Sequence, residues 1–174
     1  LAVVHGIVKS YGGKIVAESQ PGKGSAFKVY FPAIKSSGQK KNAAFVEIKG
    51  GSEHILFVDD EEVIATLGRM LLESIGYRVT TRTSSIEALE LFRHKPDEFD
   101  LVITDMTMPN KTGDRLALEM MEIRPDIPVI LCTGFSKKIT EKRVSELGIK
   151  ALVLKPLIKK ELAKTIRKIL DGQI

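Results

Sequence analysis

The sequence predicts an α/β domain in which a five-stranded parallel sheet carries helices on both faces. Between residues 54 and 171, five short apolar runs of strand length alternate with five longer stretches of helical period. Gly76 and Gly148 follow two of these stretches, at positions typical of helix C-termini. Successive β–α units joined by right-handed crossovers form a parallel sheet that is covered on both sides.

The individual elements follow from these patterns. Strands are predicted at residues 55–58, 77–81, 100–104, 128–132 and 151–154. Helices are predicted at residues 61–75, 84–94, 112–124, 137–147 and 159–170. In the first helix, the residues that we expect to form the sheet-facing side are Val63, Leu67, Met70, Leu71 and Ile75. In the last helix, they are Leu162, Ile166, Ile169 and Leu170.

A change in composition separates this regular region from the start of the chain. Residues 34–53, IKSSGQKKNAAFVEIKGGSE, mix serine, glycine, lysine and asparagine without a sustained period, which predicts a linker. The domains are therefore predicted at residues 1–33 and 54–171. The chain opens at Leu1 within a helix-like pattern, so we expect it to be a fragment of a longer protein.

Charge and cysteine content argue against several classes of protein. The net charge is +5, but residues 1–50 hold eight lysines and two glutamates, while the remainder holds 19 basic and 20 acidic side chains. This excess consists of lysines scattered through the lead segment with little aromatic interleaving, which argues against nucleic-acid binding. The single cysteine, Cys132, excludes an internal disulfide and suits a reducing compartment. Without an apolar run of about 18 residues, we expect no membrane contact by this part of the protein and a cytoplasmic location, with any membrane anchor of a parent protein outside it.

Polar side chains stand at the carboxyl ends of four predicted strands. Asp59 and Asp60 end the first strand, and Asp105 ends the third. Thr133 ends the fourth strand and Lys155 the fifth. In open parallel sheets, functional sites lie beyond the carboxyl ends of the strands. If the first, third, fourth and fifth strands are neighbours, these side chains converge on one rim.

Each of these residues also has a purely structural interpretation. Asp60, which two glutamates follow, suits a helix N-terminus, where acids face the positive end of the helix dipole. Asp105 precedes a Met-Pro-Asn turn, and Thr133 could cap a loop. Lys155 could extend from a strand end into solvent. Four separate coincidences at four strand ends are less expected than one shared site.

The chemistry of such a rim is specific. Three carboxylates close together do not all stay charged without a cation. Carboxylate oxygens and waters suit Mg²⁺. A carboxylate can also act as a nucleophile and form an aspartyl-phosphate. Mg²⁺ and an ammonium group would neutralise the charge that develops on a phosphoryl group during transfer.

Residues 54–171 resemble the receiver domain of two-component signalling, the response-regulator fold. The resemblance rests on the segments FVDDEE, DMTMPNKTG, ILCTG and LVLKP, which occur in the family's order and spacing. It covers about two-thirds of the chain. It implies a flavodoxin-like sheet with the strand order 2-1-3-4-5.

The resemblance assigns roles to the acidic residues by position. Asp105 would be the phosphoacceptor. Asp60, Asp105 and the backbone carbonyl of Thr107 would ligate Mg²⁺ directly. Asp59 would act through a metal-bound water.

The resemblance also implies roles at the fourth and fifth strands. Thr133 and Lys155 would contact the phosphoryl group, and the Lys155–Pro156 peptide bond would be cis. The sequence departs from the family at Leu152, where receivers often carry an aromatic residue whose rotamer reports phosphorylation. We expect that aromatic switch to be absent, or relocated to Phe135.

Residues 1–33 resemble the end of a histidine-kinase ATP-binding domain. The last helix would be LAVVHGIVKSYG, and a hairpin would join KIVAES and SAFKVYFP through QPGKG. The family's glycine-rich loop and asparagine motif are missing, and PGKGS is not a Walker A loop because the distal glycine is absent. We therefore expect no ATP binding. An apolar face without its covering sheet makes a homodimer plausible.

The order of kinase end, linker and receiver is that of a hybrid histidine kinase. It implies a phosphorelay in which the receiver takes its phosphoryl group from the phospho-histidine donor domain of a histidine kinase. A histidine phosphotransfer protein would be a further partner. The kinase core is missing, so the expected catalysis is limited to the receiver's own phosphorylation and dephosphorylation.

Two other functions stay open. The acidic pocket could belong to a phosphate-independent binding module, although the intact set of Asp60, Asp105, Thr133 and Lys155 favours a phosphorylatable receiver. A haloacid-dehalogenase-like phosphatase also forms an aspartyl-phosphate. It would need a DxD motif after the first strand, where VDDEEV has adjacent acids instead.

Overall fold

The computed structural model of the chain describes residues 4–5, 8–9, 11–33, 49–134 and 141–173, without the side chains of residues 141–143. The chain divides into two compact units, Leu1–Val46 and Glu47–Ile174. The second unit therefore includes the last residues of the predicted linker. No helix in the described ranges is long and apolar enough to cross a membrane.

The first unit contains an antiparallel hairpin. Strand β1 (Lys14–Gln20) pairs with strand β2 (Gly24–Tyr30). Gly22 and Gly24 have φ angles of 75° and 90°, which residues with a Cβ atom rarely adopt. These two glycines allow the tight turn, and the hairpin that the resemblance implied is present.

The second unit alternates strands and helices. The strands are β3 (His54–Val58), β4 (Arg78–Arg82), β5 (Leu101–Asp105), β6 (Val129–Thr133) and β7 (Ala151–Leu154). The helices are α1 (Glu62–Glu73), α2 (Ser85–His94), α3 (Gly113–Ile123), α4 (Glu141–Glu146) and α5 (Lys159–Leu170). Each predicted element is present, and apart from the start of α4 the described ends lie within two residues of the predicted ones. Residues 137–140 of the fourth predicted helix lie outside the described residues.

The five strands form one parallel sheet in the order β4-β3-β5-β6-β7. This arrangement confirms the predicted order 2-1-3-4-5. All residues of β3, β5 and β6 are buried, because helices cover both faces of these central strands. The carboxyl ends of β3, β5, β6 and β7 consequently lie side by side along one edge, which we call the rim.

Alternation along the strands creates two apolar cores. Leu56 and Val102 point to one face, where they pack with residues of α2 and α3. Phe57 and Ile103 point to the other face, where they pack with residues of α1 and α5. The last helix presents the predicted face, in which Leu162, Ile166 and Ile169 are buried and Leu170 is half-buried.

The predicted sheet-facing side of α1 was wrong for three residues. Val63, Leu67 and Met70 are 69%, 56% and 59% exposed. The buried residues are Ala65, Gly68 and Leu72. A Cβ atom at Gly68 would lie 2.5 Å from the Phe57 ring, so the small side chains let α1 lie close to β3. The large apolar residues consequently stand on the outer side of the helix.

Candidate functional site

The ends of three strands bring two carboxylates and one hydroxyl to the rim. Asp59 follows β3 and is 1% exposed, while Asp105 ends β5 and is 6% exposed. Thr133 ends β6 and is also buried. Asp105 lies opposite Cys132 in the sheet, so Thr133 lies one residue beyond it on the neighbouring strand. Two buried acids therefore face the same edge.

Lys155 bridges these two acids. Its Nζ atom lies 2.6 Å from Asp59 Oδ2 and 2.6 Å from Asp105 Oδ1. The backbone N–H of Lys155 donates a 2.8 Å hydrogen bond to the carbonyl of Thr133, which fixes it against β6. The following bond to Pro156 is cis, as the resemblance implied. One ammonium group thus serves two buried carboxylates.

Burial and the hydrogen bonds of Lys155 shift two pKa values. Burial raises the pKa of the Asp59 carboxyl, and the hydrogen bond from Lys155 offsets only part of that rise. Burial by itself would lower the pKa of Lys155, but hydrogen bonds to Asp105 and Asp59 outweigh burial and raise it. Lys155 is therefore charged at neutral pH, while Asp59 would be stabilised as an anion by a further cation.

The loop after β5 is held in place on several sides. The N–H of Thr107 donates a 2.7 Å hydrogen bond to Asp105 Oδ2. The buried hydroxyl of Ser85 donates to the carbonyl of Pro109 at 3.3 Å. A Cβ atom at Gly113 would lie 2.0 Å from the carbonyl oxygen of Asp105, so α3 begins close to the acid only because residue 113 is glycine.

Two predicted site residues form no side-chain hydrogen bond or ion pair with the bridged acids in the described part of the chain. Asp60 is exposed, and its side chain makes no hydrogen bond or ion pair to the described part of the chain. The Thr133 hydroxyl donates to the carbonyl of Gly134 at 3.1 Å. A helix does begin after these acids, but its N-cap is Glu61 and not Asp60, and Asp59 Oδ1 accepts the Glu61 N–H at 3.1 Å.

The donor atoms at the rim suit Mg²⁺. In the described ranges, no three His, Cys, Asp or Glu side chains form a preassembled metal cage. Mg²⁺ does not require one, since it keeps several waters and binds through one or two carboxylates. Asp59 and Asp105 offer oxygen donors of that kind at a place where burial penalises negative charge. The residues present therefore fit this ion.

Sequence reasoning missed an apolar groove of about 180 Å³ beside the rim. Its lining comes from α1 and from the loop between β7 and α5, and consists of Ile64, Leu67, Gly68, Leu71, Lys155, Pro156 and Leu157. The available signal was the excess of apolar residues in α1, more than one buried helix face needs. Lys155 therefore borders both the acidic rim and an apolar surface.

The sequence also drew attention to Cys132 and Phe135. Cys132 is buried in the core as expected, and burial raises the pKa of its thiol to about 12. A thiol in that environment is not a nucleophile. Phe135, the candidate for a relocated aromatic switch, lies outside the described residues.

Comparisons with known proteins agree with this geometry. The family model described as response regulator receiver domain matches residues 55–167. Sensor kinase CckA of Brucella abortus (strain 2308) is 32% identical over 182 residues, which cover 99% of this chain and 19% of that protein. Aerobic respiration control sensor protein ArcB of Escherichia coli (strain K12) is 33% identical over 135 residues, which cover 75% of this chain and 17% of that protein. The chain spans less than a fifth of the length of these relatives.

Solved structures show the same fold. A response regulator receiver domain protein from Clostridium thermocellum has a TM-score of 0.66 at 31% identity, covering 70% of this chain and 96% of that one. A CheY-like receiver domain protein from Methanospirillum hungatei JF-1 has a TM-score of 0.63 at 27% identity, covering 71% and 97%. The family model covers more than half of the chain, and the strand order and rim agree with it. The chain therefore belongs to the response regulator receiver domain family.

Proposed function

We propose that this receiver domain accepts a phosphoryl group on Asp105 from a phospho-histidine, and signals through the modified state. The observation that carries the proposal is the Lys155 ammonium, 2.6 Å from both Asp59 and Asp105 at a buried rim. Transfer to an aspartate needs a carboxylate nucleophile and fixed positive charge around the phosphoryl oxygens. A binding module that works without phosphate would not need this arrangement.

The proposed step uses the groups at the rim as follows. A carboxylate oxygen of Asp105 attacks phosphorus, a P–O bond forms and the P–N bond to the histidine breaks. The electron pair of that bond returns to the imidazole nitrogen of the donor. Lys155 donates to the phosphoryl oxygens, and the Thr133 hydroxyl turns from the Gly134 carbonyl to do the same. The position of Thr133, one residue beyond the strand partner of Asp105, supports this role.

The same proposal assigns the Mg²⁺ site. Asp60, Asp105 and the Thr107 carbonyl would hold the ion, and Asp59 would bind it through water. Asp60 is exposed and can turn toward the rim without breaking a hydrogen bond or ion pair to the described residues. Thr107 is already tied to Asp105 through its N–H. When bound, the ion would supply positive charge that stabilises the transferring phosphoryl group.

We further propose that the donor is a protein that docks beside Lys155. The groove between α1 and the β7–α5 loop is apolar, and Leu67 on its wall is more than half exposed. An amphipathic helix can lay its apolar face in such a groove. A phospho-histidine on that helix would then reach the rim that Lys155 shares with the groove. A histidine-kinase donor domain or a histidine phosphotransfer protein has this chemistry.

The parent protein would be a hybrid histidine kinase with this domain in the cytoplasm. Similarity to a sensor kinase over 99% of the chain supports this proposal. Residues 1–33 would be the end of its ATP-binding domain, residues 34–53 a linker, and residues 54–171 the receiver. The hairpin exposes the apolar side chains of Phe27 and Val29, which a second copy of the chain would cover in a homodimer. Light scattering of residues 1–174 and 49–174 tests it, since only the longer chain should dimerise.

Intact mass after incubation with acetyl phosphate and Mg²⁺ tests the phosphoacceptor. We expect the wild type to gain one phosphoryl group and Asp105→Asn to gain none. Asp126→Asn, which removes an exposed carboxylate beyond the C-terminus of α3, should behave like the wild type. A wild type that neither gains the group nor binds Mg²⁺ with beryllofluoride would show the proposal to be wrong.

A further inference from the structure

Residues 49–53, which we call the strap, lie at the end of the receiver domain opposite the rim, where they contact the turn after α1 and the C-terminus of α5. Lys49 Nζ lies 3.0 Å from Asp171 Oδ2, at the C-terminus of α5, and this hydrogen bond lowers the pKa of Asp171. Glu53 Oε1 lies 2.5 Å from Arg167 Nη2 within α5. The strap therefore joins the segment that enters the receiver to the helix that ends it.

The strap also lies directly on the turn after α1. A Cβ atom at Gly50 would lie 1.7 Å from the carbonyl oxygen of Ile75, and the N–H of Gly51 donates to that oxygen at 3.3 Å. Gly76 has a φ of 97°, and a Cβ there would lie 2.7 Å from the carbonyl oxygen of Gly51. Backbone contact this close requires glycine on both sides, which the sequence provides.

Arg167 is the centre of this cluster. Its guanidinium lies 5.6 Å from the centre of the buried Tyr77 ring and 3.7 Å from Asp171, in addition to its pair with Glu53. The Arg167 side chain is 13% exposed, so losing a partner leaves a largely buried cation under-compensated. The position of the strap is therefore tied to the position of α5.

Helix α5 connects this cluster to the rim. Lys155 lies in the segment that leads into α5, and Arg167 lies near the other end of the helix. The 12 residues of α5 span about 18 Å, and Leu162 and Ile166 anchor its apolar face in the core. A rearrangement that moves Lys155 together with α5 would therefore reach the strap.

We infer that the strap opposes the rearrangement of α5 when the rim is occupied, and so couples the state of Asp105 to the segment that precedes residue 49. In the structure Lys155 is shared between Asp59 and Asp105 while both ion pairs of the strap are formed. A phosphoryl group on Asp105 would attract Lys155, and α5 would have to shift against the strap. This inference rests on the proposed function, because it requires that occupant.

The affinity for Mg²⁺ with beryllofluoride, measured by isothermal titration calorimetry, tests the coupling. Coupling is reciprocal, so loosening the strap must strengthen binding at the rim. We expect Glu53→Gln to bind roughly two- to thirtyfold more tightly than the wild type, the range for substitutions along a coupled network. Lys49→Gln should show a smaller effect in the same direction. Lys164→Gln, exposed on α5, should match the wild type.

Hydrogen exchange gives a second readout in the wild type. Amides of residues 49–53 should exchange faster when beryllofluoride and Mg²⁺ are bound than when they are absent. A wild type that fails to bind would contradict the proposed function and the coupling with it. Binding with unchanged exchange, together with equal or weaker binding by both strap variants, would overturn the coupling alone. Lys49 is 74% exposed, so Lys49→Gln keeps the test valid even if Glu53→Gln folds poorly.

Discussion

Lys155 Nζ lies 2.6 Å from Asp59 Oδ2, although the two residues are 96 positions apart in the sequence. Asp59 follows β3 and Lys155 follows β7, and β5 and β6 lie between these two strands in the sheet. The Lys155 side chain therefore extends past the ends of β5 and β6 to contact Asp59. The same ammonium also contacts Asp105, so two buried acids depend on one cation. The stability of the folded chain should consequently respond to pH, to Mg²⁺ and to the removal of either acid.

We predict that Asp59→Asn raises the melting temperature in EDTA at pH 7. Burial raises the pKa of Asp59 in the folded state above its usual 3.8. The folded state therefore binds this proton more readily than the unfolded state, and stability falls as pH rises from 3.8 through the folded pKa. The advantage of the variant should accordingly shrink as the pH is lowered toward 4. Thermal unfolding at several pH values checks this, and a pH-independent difference would contradict it.

In Mg²⁺, the wild type should become more stable than Asp59→Asn. A cation that binds only the folded state stabilises it by about 2.7 kcal/mol at a concentration of 100 Kd. The wild type should gain more than Asp59→Asn, because the variant lacks one carboxylate at the rim. Melting temperatures in MgCl₂ and in NaCl of equal ionic strength separate specific binding from screening. Equal gains in the two proteins would count against a role for Asp59 at the metal site.

The proximity of Asp105 and Lys155 could be predicted from sequence because a parallel sheet brings the ends of its strands to one edge. The buried face of α1 was harder to predict, because large residues such as Leu67 dominate the apolar pattern of the helix while Gly68 contributes nothing to it. The close approach of Gly68 to Phe57 decides which face of α1 is buried. The spacing of apolar residues in the sequence carries no information on how closely the helix backbone approaches the sheet. The groove beside the rim follows from that orientation and was missed for the same reason.

Gly68→Ala should destabilise the domain. Its Cβ atom would lie 2.5 Å from the Phe57 ring, which the core cannot avoid without shifting α1 or the ring. Overpacking of this kind costs about 1–3 kcal/mol, while alanine regains up to about 1 kcal/mol of helix propensity. Urea unfolding should therefore show a net loss, whereas Thr66→Ala on the exposed side should show none. A more stable Gly68→Ala would mean that α1 does not lie this close to β3.

Cys132 should resist alkylation in the folded state. It is 1% exposed, and burial raises the pKa of its thiol to about 12, so the reactive thiolate is scarce at pH 8. Iodoacetamide followed by intact mass should label the protein in urea and leave the native protein unmodified over the same time. Rapid labelling of the native protein would place the thiol at the surface instead of in the core.

Leu67→Asp should slow phosphorylation by a protein donor and leave phosphorylation by acetyl phosphate unchanged. Leu67 lines the groove beside Lys155 but makes no contact with the acids of the rim, so a charge there should impair docking alone. Loss of a central apolar contact typically costs 2 kcal/mol or more, which corresponds to roughly a thirtyfold slower transfer at limiting donor. Time courses of intact mass with a phospho-histidine protein and with acetyl phosphate give the two rates. Thr66→Asp is the control, because it adds the same charge to the same helix outside the groove. If Thr66→Asp slows transfer from the protein donor as much, or if Leu67→Asp also slows phosphorylation by acetyl phosphate, the groove is not the docking surface.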